Sequence, residues 1–241
     1  MNRLYSLILI VVILVPIFAE EQAQSHEWMA GESERNEALT LTPDLEEGMY
    51  VYEVCSGCHL PEGWGTKEGT FPQISGQLPE VSIKQLADIR EGNRDNPTMY
   101  PFALPRAIGG PQSLADVVAY IAQLPMNPDN GKGEWAEGTP EFDQGKKLYI
   151  DNCVQCHGEI GEGNAEKFYP LIYGQHYLYM LRQFEWIRDG KRRNANPDMI
   201  KQIEGFSDKE MEMVINYVSR IIVPKEKVAP SVDWTNPDFD W

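Results

Sequence analysis

The chain reads as an all-α protein built from two tandem copies of one small helical domain, and three observations predict that class. Two C-x-x-C-H pentapeptides, Cys55-Ser-Gly-Cys58-His59 and Cys153-Val-Gln-Cys156-His157, use all four cysteines of the 241 residues. A shift of 98 residues lays Cys55 on Cys153, Pro72 on Pro170, Ile74 on Ile172, Gly76-Gln77 on Gly174-Gln175, Ile89-Arg90 on Ile187-Arg188, Gly92 on Gly190 and Arg94 on Arg192. At a shift of 100, Asn96-Pro97-Thr98-Met99 falls on Asn196-Pro197-Asp198-Met199, and at 97 Tyr120-Ile121 falls on Tyr217-Val218. Between these landmarks the apolar residues recur at helical spacing, punctuated by Gly and Pro.

In order, Arg3 precedes an apolar run over residues 7–18 that Pro16 breaks and Ala19 and Ala23 follow. The run is shorter than the ~20 residues a membrane span needs, so residues 1–23 are expected to be a cleaved secretory signal, with an uncleaved membrane anchor as the alternative. Residues 24–47 read as a polar, mobile arm. Regular structure is expected from Gly48, where Met49, Tyr50, Val51 and Val54 give a helix an apolar face that ends in the first motif. The first domain, 48–124, continues with a Gly-rich loop, a middle helix over 81–91 stopped by Gly92, a Met-bearing loop and a closing helix over 113–124. A turn-rich linker, 125–138, leads into the second domain, 139–222, with its middle helix over 177–189 and its closing helix over 207–222. Ser207 and Glu210 have the spacing of a capping box. The tail, 223–241, is Pro-rich yet carries Trp234, Phe239 and Trp241, and is expected to strap along the domains or to dock a partner.

C-x-x-C-H is the spacing at which two thiols add across the vinyl groups of one haem while the next residue turns its imidazole onto the iron. A structural zinc site is the weaker account, because two thiolates and one His need a fourth ligand that neither repeat supplies nearby. A redox dithiol would not need the His twice. The sequence therefore predicts two covalently bound haem c groups, attached at Cys55 and Cys58 and at Cys153 and Cys156, with His59 and His157 on the irons. No cysteine remains for a disulfide, and haem attachment on the exported side of the membrane agrees with a secretory signal and a periplasmic location. Domains of about 85 residues have marginal cores, so folding is expected to depend on the porphyrin.

The sixth iron ligand separates carriers from catalysts. Met99 and Met199 are the candidates, each in an Asn-Pro-x-Met loop whose proline restricts the approach. Met180, Met211 and Met213 lie within helices and read as core filler. Of the other histidines, His26 falls in the arm, and His176 reads as a surface or capping residue. Thioether opposite imidazole favours reduced iron and closes both axial positions, which implies outer-sphere electron transfer and no catalysis at the metal. Pro72 and Pro170 each follow their His by 13 residues, and their carbonyls are candidate acceptors for the ligand's other ring N–H, or else they are turn prolines. Arg94 and Arg192 would pair with haem propionates or serve as solvated helix-end cations. Tyr120 and Tyr217 would pack on the haem ring or against the other domain, or else are plain core residues.

The formal charge is −16, and without residues 1–23 there remain 20 basic and 35 acidic side chains. Such a surface repels nucleic acid and anionic lipid and steers cationic partners in a salt-dependent way, or simply keeps the protein soluble.

On these residues the chain resembles the cytochrome c4 family over about 48–222: C-x-x-C-H, Pro-x-Ile-x-Gly-Gln, Ile-Arg-x-Gly-x-Arg and the Met loop all occur in both halves. The resemblance implies two class I cytochrome c domains, each with His and Met axial ligands, packed so that the haems lie near the shared interface. The first motif departs from it, running into Leu60 and Pro61-Glu-Gly-Trp64 where the second has Gly158. The arm and the tail also lie outside the likeness. Three functions follow as expectations. One is a periplasmic carrier between a quinol-oxidising complex and an oxidase or reductase. Another is the dedicated electron-transfer subunit of a larger dehydrogenase or reductase. The third, a dihaem peroxidase, would need a vacant iron position.

Overall fold

A computed structural model describes residues 32–239. The predicted signal and His26 lie outside the described residues. Eleven α-helices and one 3-10 turn are present among them, and the only β pairings there are two isolated bridges.

The first half comprises α1 (Glu32–Thr40), α2 (Leu45–His59), α3 (Pro79–Arg90), the one-turn α4 (Tyr100–Ala103) and α5 (Pro105–Ile108), and α6 (Pro111–Gln123). The second comprises α7 (Pro140–Asn152), the one-turn α8 (Val154–His157), α9 (Tyr177–Arg188), α10 (Pro197–Ile203) and α11 (Asp208–Ser219). The two halves repeat one plan. The leading helix crosses the closing one, α2 on α6 and α7 on α11, and the middle helix, α3 or α9, packs on the closing helix. The crossings are close because a glycine sits at each. A Cβ on Gly48 would stand 2.2 Å from the Asp116 carbonyl oxygen, and one on Gly145 would stand 2.1 Å from that of Met213.

Local chemistry sets the helix starts. Asp44 caps α2 by accepting from the Glu46 and Glu47 amides, Thr139 caps α7, and the Ser207/Glu210 capping box opens α11. The two haem motifs differ in register. In the first, α2 runs unbroken to His59, whereas in the second α7 stops at Asn152 and α8 resumes for one turn.

One expectation is corrected here. The segment 24–47 is not uniformly a mobile arm, because residues 32–40 form α1, and regular structure begins well before Gly48. This helix packs on α3 and α6 with Ala38 and Arg35 buried, and Arg35 stacks over Phe168 of the second half, 5.2 Å from the ring centroid. A helix that buries an arginine shows no apolar period, which is why the sequence read as an arm. The tail is a strap laid on the first half. Lys227 and Ala229 exchange backbone bonds with Met126, Trp234 packs 6.0 Å from Trp64, and Phe239 joins the first core edge-on to Tyr52.

Candidate haem centres

Each C-x-x-C-H closes its helix against a buried tyrosine. Tyr52 donates from its hydroxyl to the Leu60 carbonyl at 2.7 Å, and Tyr149 to that of Gly158 at 2.6 Å, so the residue after each motif histidine is pinned from within its own leading helix. Both of those residues turn left-handed, Leu60 at φ +68° and Gly158 at +82°. The first domain thus spends backbone strain where the second uses a glycine.

No disulfide joins the four cysteines, and each is half-buried. Burial, reinforced by the neighbouring Cys58 and Cys156, pushes the Cys55 and Cys153 thiols up to about 12. Among the described residues no three His, Cys, Asp or Glu side chains converge to hold a bare cation.

His59 and His157 are held alike. The Nδ1–H of His59 donates to the Pro72 carbonyl at 2.9 Å, and that of His157 to the Pro170 carbonyl at 3.0 Å. Burial holds both imidazoles below the usual histidine range, opposed by those carbonyl bonds. With Nδ1 committed, the ring presents Nε2 as its free lone pair, the tautomer that an iron ligand requires. Met99 packs against the first core and Met199 against the second, whereas Met180 and Met211 are buried members of the second core itself. Met99 lies just before α4, whereas Met199 sits in the first turn of α10, where a loop was expected. An asparagine braces each segment, Asn96 Oδ1 accepting the Met99 amide at 3.2 Å and Asn196 Oδ1, at the cap of α10, the Asp198 amide at 2.8 Å.

Arg94 and Arg192 come together across the interface and are not solvated helix ends. Arg94 donates to Gln85 Oε1 at 2.9 Å and to the Tyr179 hydroxyl at 3.0 Å, and Arg192 donates to the same Gln85 oxygen at 3.0 Å and to Gln183 at 3.1 Å. Burial and the Arg94 charge hold Arg192 down to about 10. Two guanidiniums converging in a partly buried site create a positive spot that a carboxylate would relieve. The cysteines at C-x-x-C spacing, outside any disulfide, the single imidazole tautomer and this paired cation site together fit a covalent haem in each half.

His176 is not a surface residue. It is fully buried, with Nδ1 accepting the Gly131 amide at 3.0 Å and Nε2–H donating to the Trp64 carbonyl at 2.6 Å. The linker and a first-domain loop close over the start of α9, an arrangement that no local signal announces. Sequence reasoning also missed the buried Lys84–Asp88 pair, 2.6 Å apart, whose Asp88 accepts from Asn194 of the other half at 2.7 Å. Nor did it assign a role to Gln77 and Gln175, although their recurrence 98 residues apart was visible in the repeat.

Comparison with known proteins defines the class first. Residues 142–221 match the family model described as Cytochrome c. The thiosulfate dehydrogenase electron acceptor of Stutzerimonas stutzeri is 33% identical over 76% of this chain and 90% of its own length. Cytochrome c4 of Thiocapsa roseopersicina is 30% identical over 68% of this chain and 85% of its own. The crystal structure of reduced cytochrome c4 from Pseudomonas stutzeri superposes with a TM-score of 0.64 at 26% identity, over 76% of this chain and all of that one. The fold and its two sites are those of a dihaem class I cytochrome c, an all-α electron-transfer protein with two covalently bound haem c groups. Within that class, this chain belongs to the cytochrome c4 family.

Proposed function

We propose that this protein is an exported, periplasmic carrier that passes single electrons through two haems, ligated axially by His59 and Met99 in the first half and by His157 and Met199 in the second. The observation that carries this reading is the matched placement of both imidazoles, each tied through Nδ1 to a proline carbonyl, in halves whose cores Met99 and Met199 respectively pack against. Cys55, Cys58, Cys153 and Cys156 hold the porphyrins. Pro72 and Pro170 orient the imidazoles, and Arg94 and Arg192 receive propionates. The haem supplies the reversible one-electron couple. Bound there, it would be shielded from water by the chain and would have both ligand positions filled by these side chains, which would keep peroxide and oxygen off the iron. Met199→Ala is expected to remove the near-infrared sulfur-to-iron band of one haem and leave the other. Retention of both bands would overturn the ligand assignment.

The partners are redox proteins. A second reading makes one of them a dehydrogenase acting on a small sulfur oxyanion, and the observation favouring it is the 33% identity to a thiosulfate dehydrogenase electron acceptor. Co-elution of native protein with a larger catalytic chain would support this dedicated role over that of a free carrier between a quinol-oxidising complex and an oxidase or reductase.

A further inference from the structure

The two Pro-x-Ile-x-Gly-Gln segments face each other across the domain interface and exchange hydrogen bonds reciprocally. The Gln175 side chain of the second half brackets Gln73 of the first: its Oε1 accepts the Gln73 amide at 3.0 Å and its Nε2 donates to the Gln73 carbonyl at 2.7 Å. The Gln77 side chain of the first half brackets Leu171 of the second in the same way, accepting its amide at 3.0 Å and donating to its carbonyl at 2.9 Å. Each glutamine oxygen is also anchored at home by the amide of the following residue, His176 or Leu78, both at 3.0 Å. Gln73 and Leu171 are buried, and each comes directly after the proline whose carbonyl accepts the Nδ1–H of the motif histidine.

The Pro72 carbonyl and the Gln73 amide belong to one peptide unit, as do the Pro170 carbonyl and the Leu171 amide. A single conjugated amide therefore takes a bond from the histidine of its own half on its oxygen and gives one to the glutamine of the other half from its nitrogen. Donation from a peptide N–H raises the negative charge on its C=O, because resonance moves electron density from nitrogen to oxygen, and bonds linked this way strengthen one another. A stronger acceptor at Nδ1–H makes the imidazole a better donor to iron, and that favours the ferric state.

We infer that Gln175 is a positioning residue for the first haem and Gln77 for the second, each acting across the interface through the peptide that holds the opposite domain's histidine. The inference rests on His59 and His157 as iron ligands. Each haem's midpoint potential is thereby set in part by the neighbouring domain, and the two potentials hold their native values only while the interface is closed.

The test uses the full-length holoprotein, with the midpoint of each haem resolved separately by redox titration followed by NMR. Gln175→Leu keeps the bulk and removes the acceptor. It is expected to raise the first haem's midpoint and leave the second's unchanged, and Gln77→Leu is expected to raise the second and leave the first. Gln175→Glu, which keeps the acceptor oxygen and makes it a stronger acceptor, is expected to lower the first haem's midpoint more than the second's. This variant carries the test if the leucine variant fails to fold, an unchanged first midpoint then overturning the relay. A shift of the haem in the mutated domain, equal shifts of both haems, or no shift in the leucine variants overturns the relay. A failure of the ligand assignment would show separately, as a His59→Ala variant that keeps both haems low-spin in the unshifted wild-type spectrum.

Discussion

The two halves solve the same packing problem with different resources. In the second, Phe142 on the domain's own leading helix stands edge-on to Tyr217 at 5.5 Å, and Tyr217 lies 5.4 Å from the Tyr149 that pins the haem motif. In the first, Tyr52 and Tyr120 keep the matching 5.4 Å contact, but the position corresponding to Phe142 is Leu45, 41% exposed. The missing aromatic arrives from the far end of the chain as Phe239, edge-on to Tyr52 at 5.7 Å. Asn236 comes with it, donating to the Pro61 carbonyl at 2.8 Å and to the Tyr120 hydroxyl at 2.9 Å, and Tyr120 donates to Asp238 at 2.8 Å. The arginines that close the middle helices diverge likewise. Arg188 pairs with Asp208 of its own half, whereas Arg90 is buried and pairs with Glu34 of α1, a helix outside the repeated unit. A duplicated domain can thus be self-sufficient in one copy and dependent on borrowed segments in the other, and the terminal segments of this chain are the borrowed parts.

The sharpest way to break this comparison lies in the buried ion pair of the first half, whose counterparts in the second are Arg182 and Trp186. Burial pushes the Asp88 carboxyl up and the Lys84 ammonium down, against their mutual attraction. Asp88→Ala takes away the carboxylate that offsets a buried ammonium, and is expected to cost about 3 kcal/mol in guanidinium unfolding of the holoprotein. A change below about 0.5 kcal/mol, the range of ordinary surface substitutions, would remove the pair from the interface's supports.

A paired truncation tests the borrowed aromatic. Phe142→Ala should destabilise the second domain by about 3 kcal/mol, and Phe239→Ala, at a less buried site, should destabilise the first by about 2 kcal/mol. Hydrogen exchange read domain by domain separates the two. If Phe239→Ala loosened the second domain instead, the tail would be acting on the interface and not completing the first core.

The smallest expected effect concerns His176, which ties the linker and the Trp64 loop to α9. Burial holds its pKa below the ordinary value, and Lys67 lowers it further while Glu68 and the Trp64 carbonyl raise it. An unfolded histidine titrates near 6.5, so below that pH the unfolded chain binds a proton that the folded one refuses. Stability is therefore full above about pH 6.5 and falls as pH decreases, by at most about 1.4 kcal/mol per unit for this one group. Unfolding midpoints measured at pH 7.5 and 5.5 should differ less in His176→Gln than in the parent protein, and an identical pH dependence in both would exclude this histidine as its source.

The haem motifs, the duplication, the proline carbonyls and the capped closing helix were all legible in the sequence, because each is a matter of spacing within a few turns of chain or of one unit repeated. Covalent attachment demands two cysteines and a histidine in five residues, and a capping box demands Ser and Glu three apart, so the pattern is itself the chemistry. Tertiary structure alone decided which residues meet from far apart in the chain: Gln77 with Leu171, Gln175 with Gln73, Arg35 with Phe168 and Phe239 with Tyr52. Those contacts leave no local period. A polar helix that buries its arginine, or a Pro-rich tail that packs its phenylalanine on a core, looks solvated until the surface that receives it has folded.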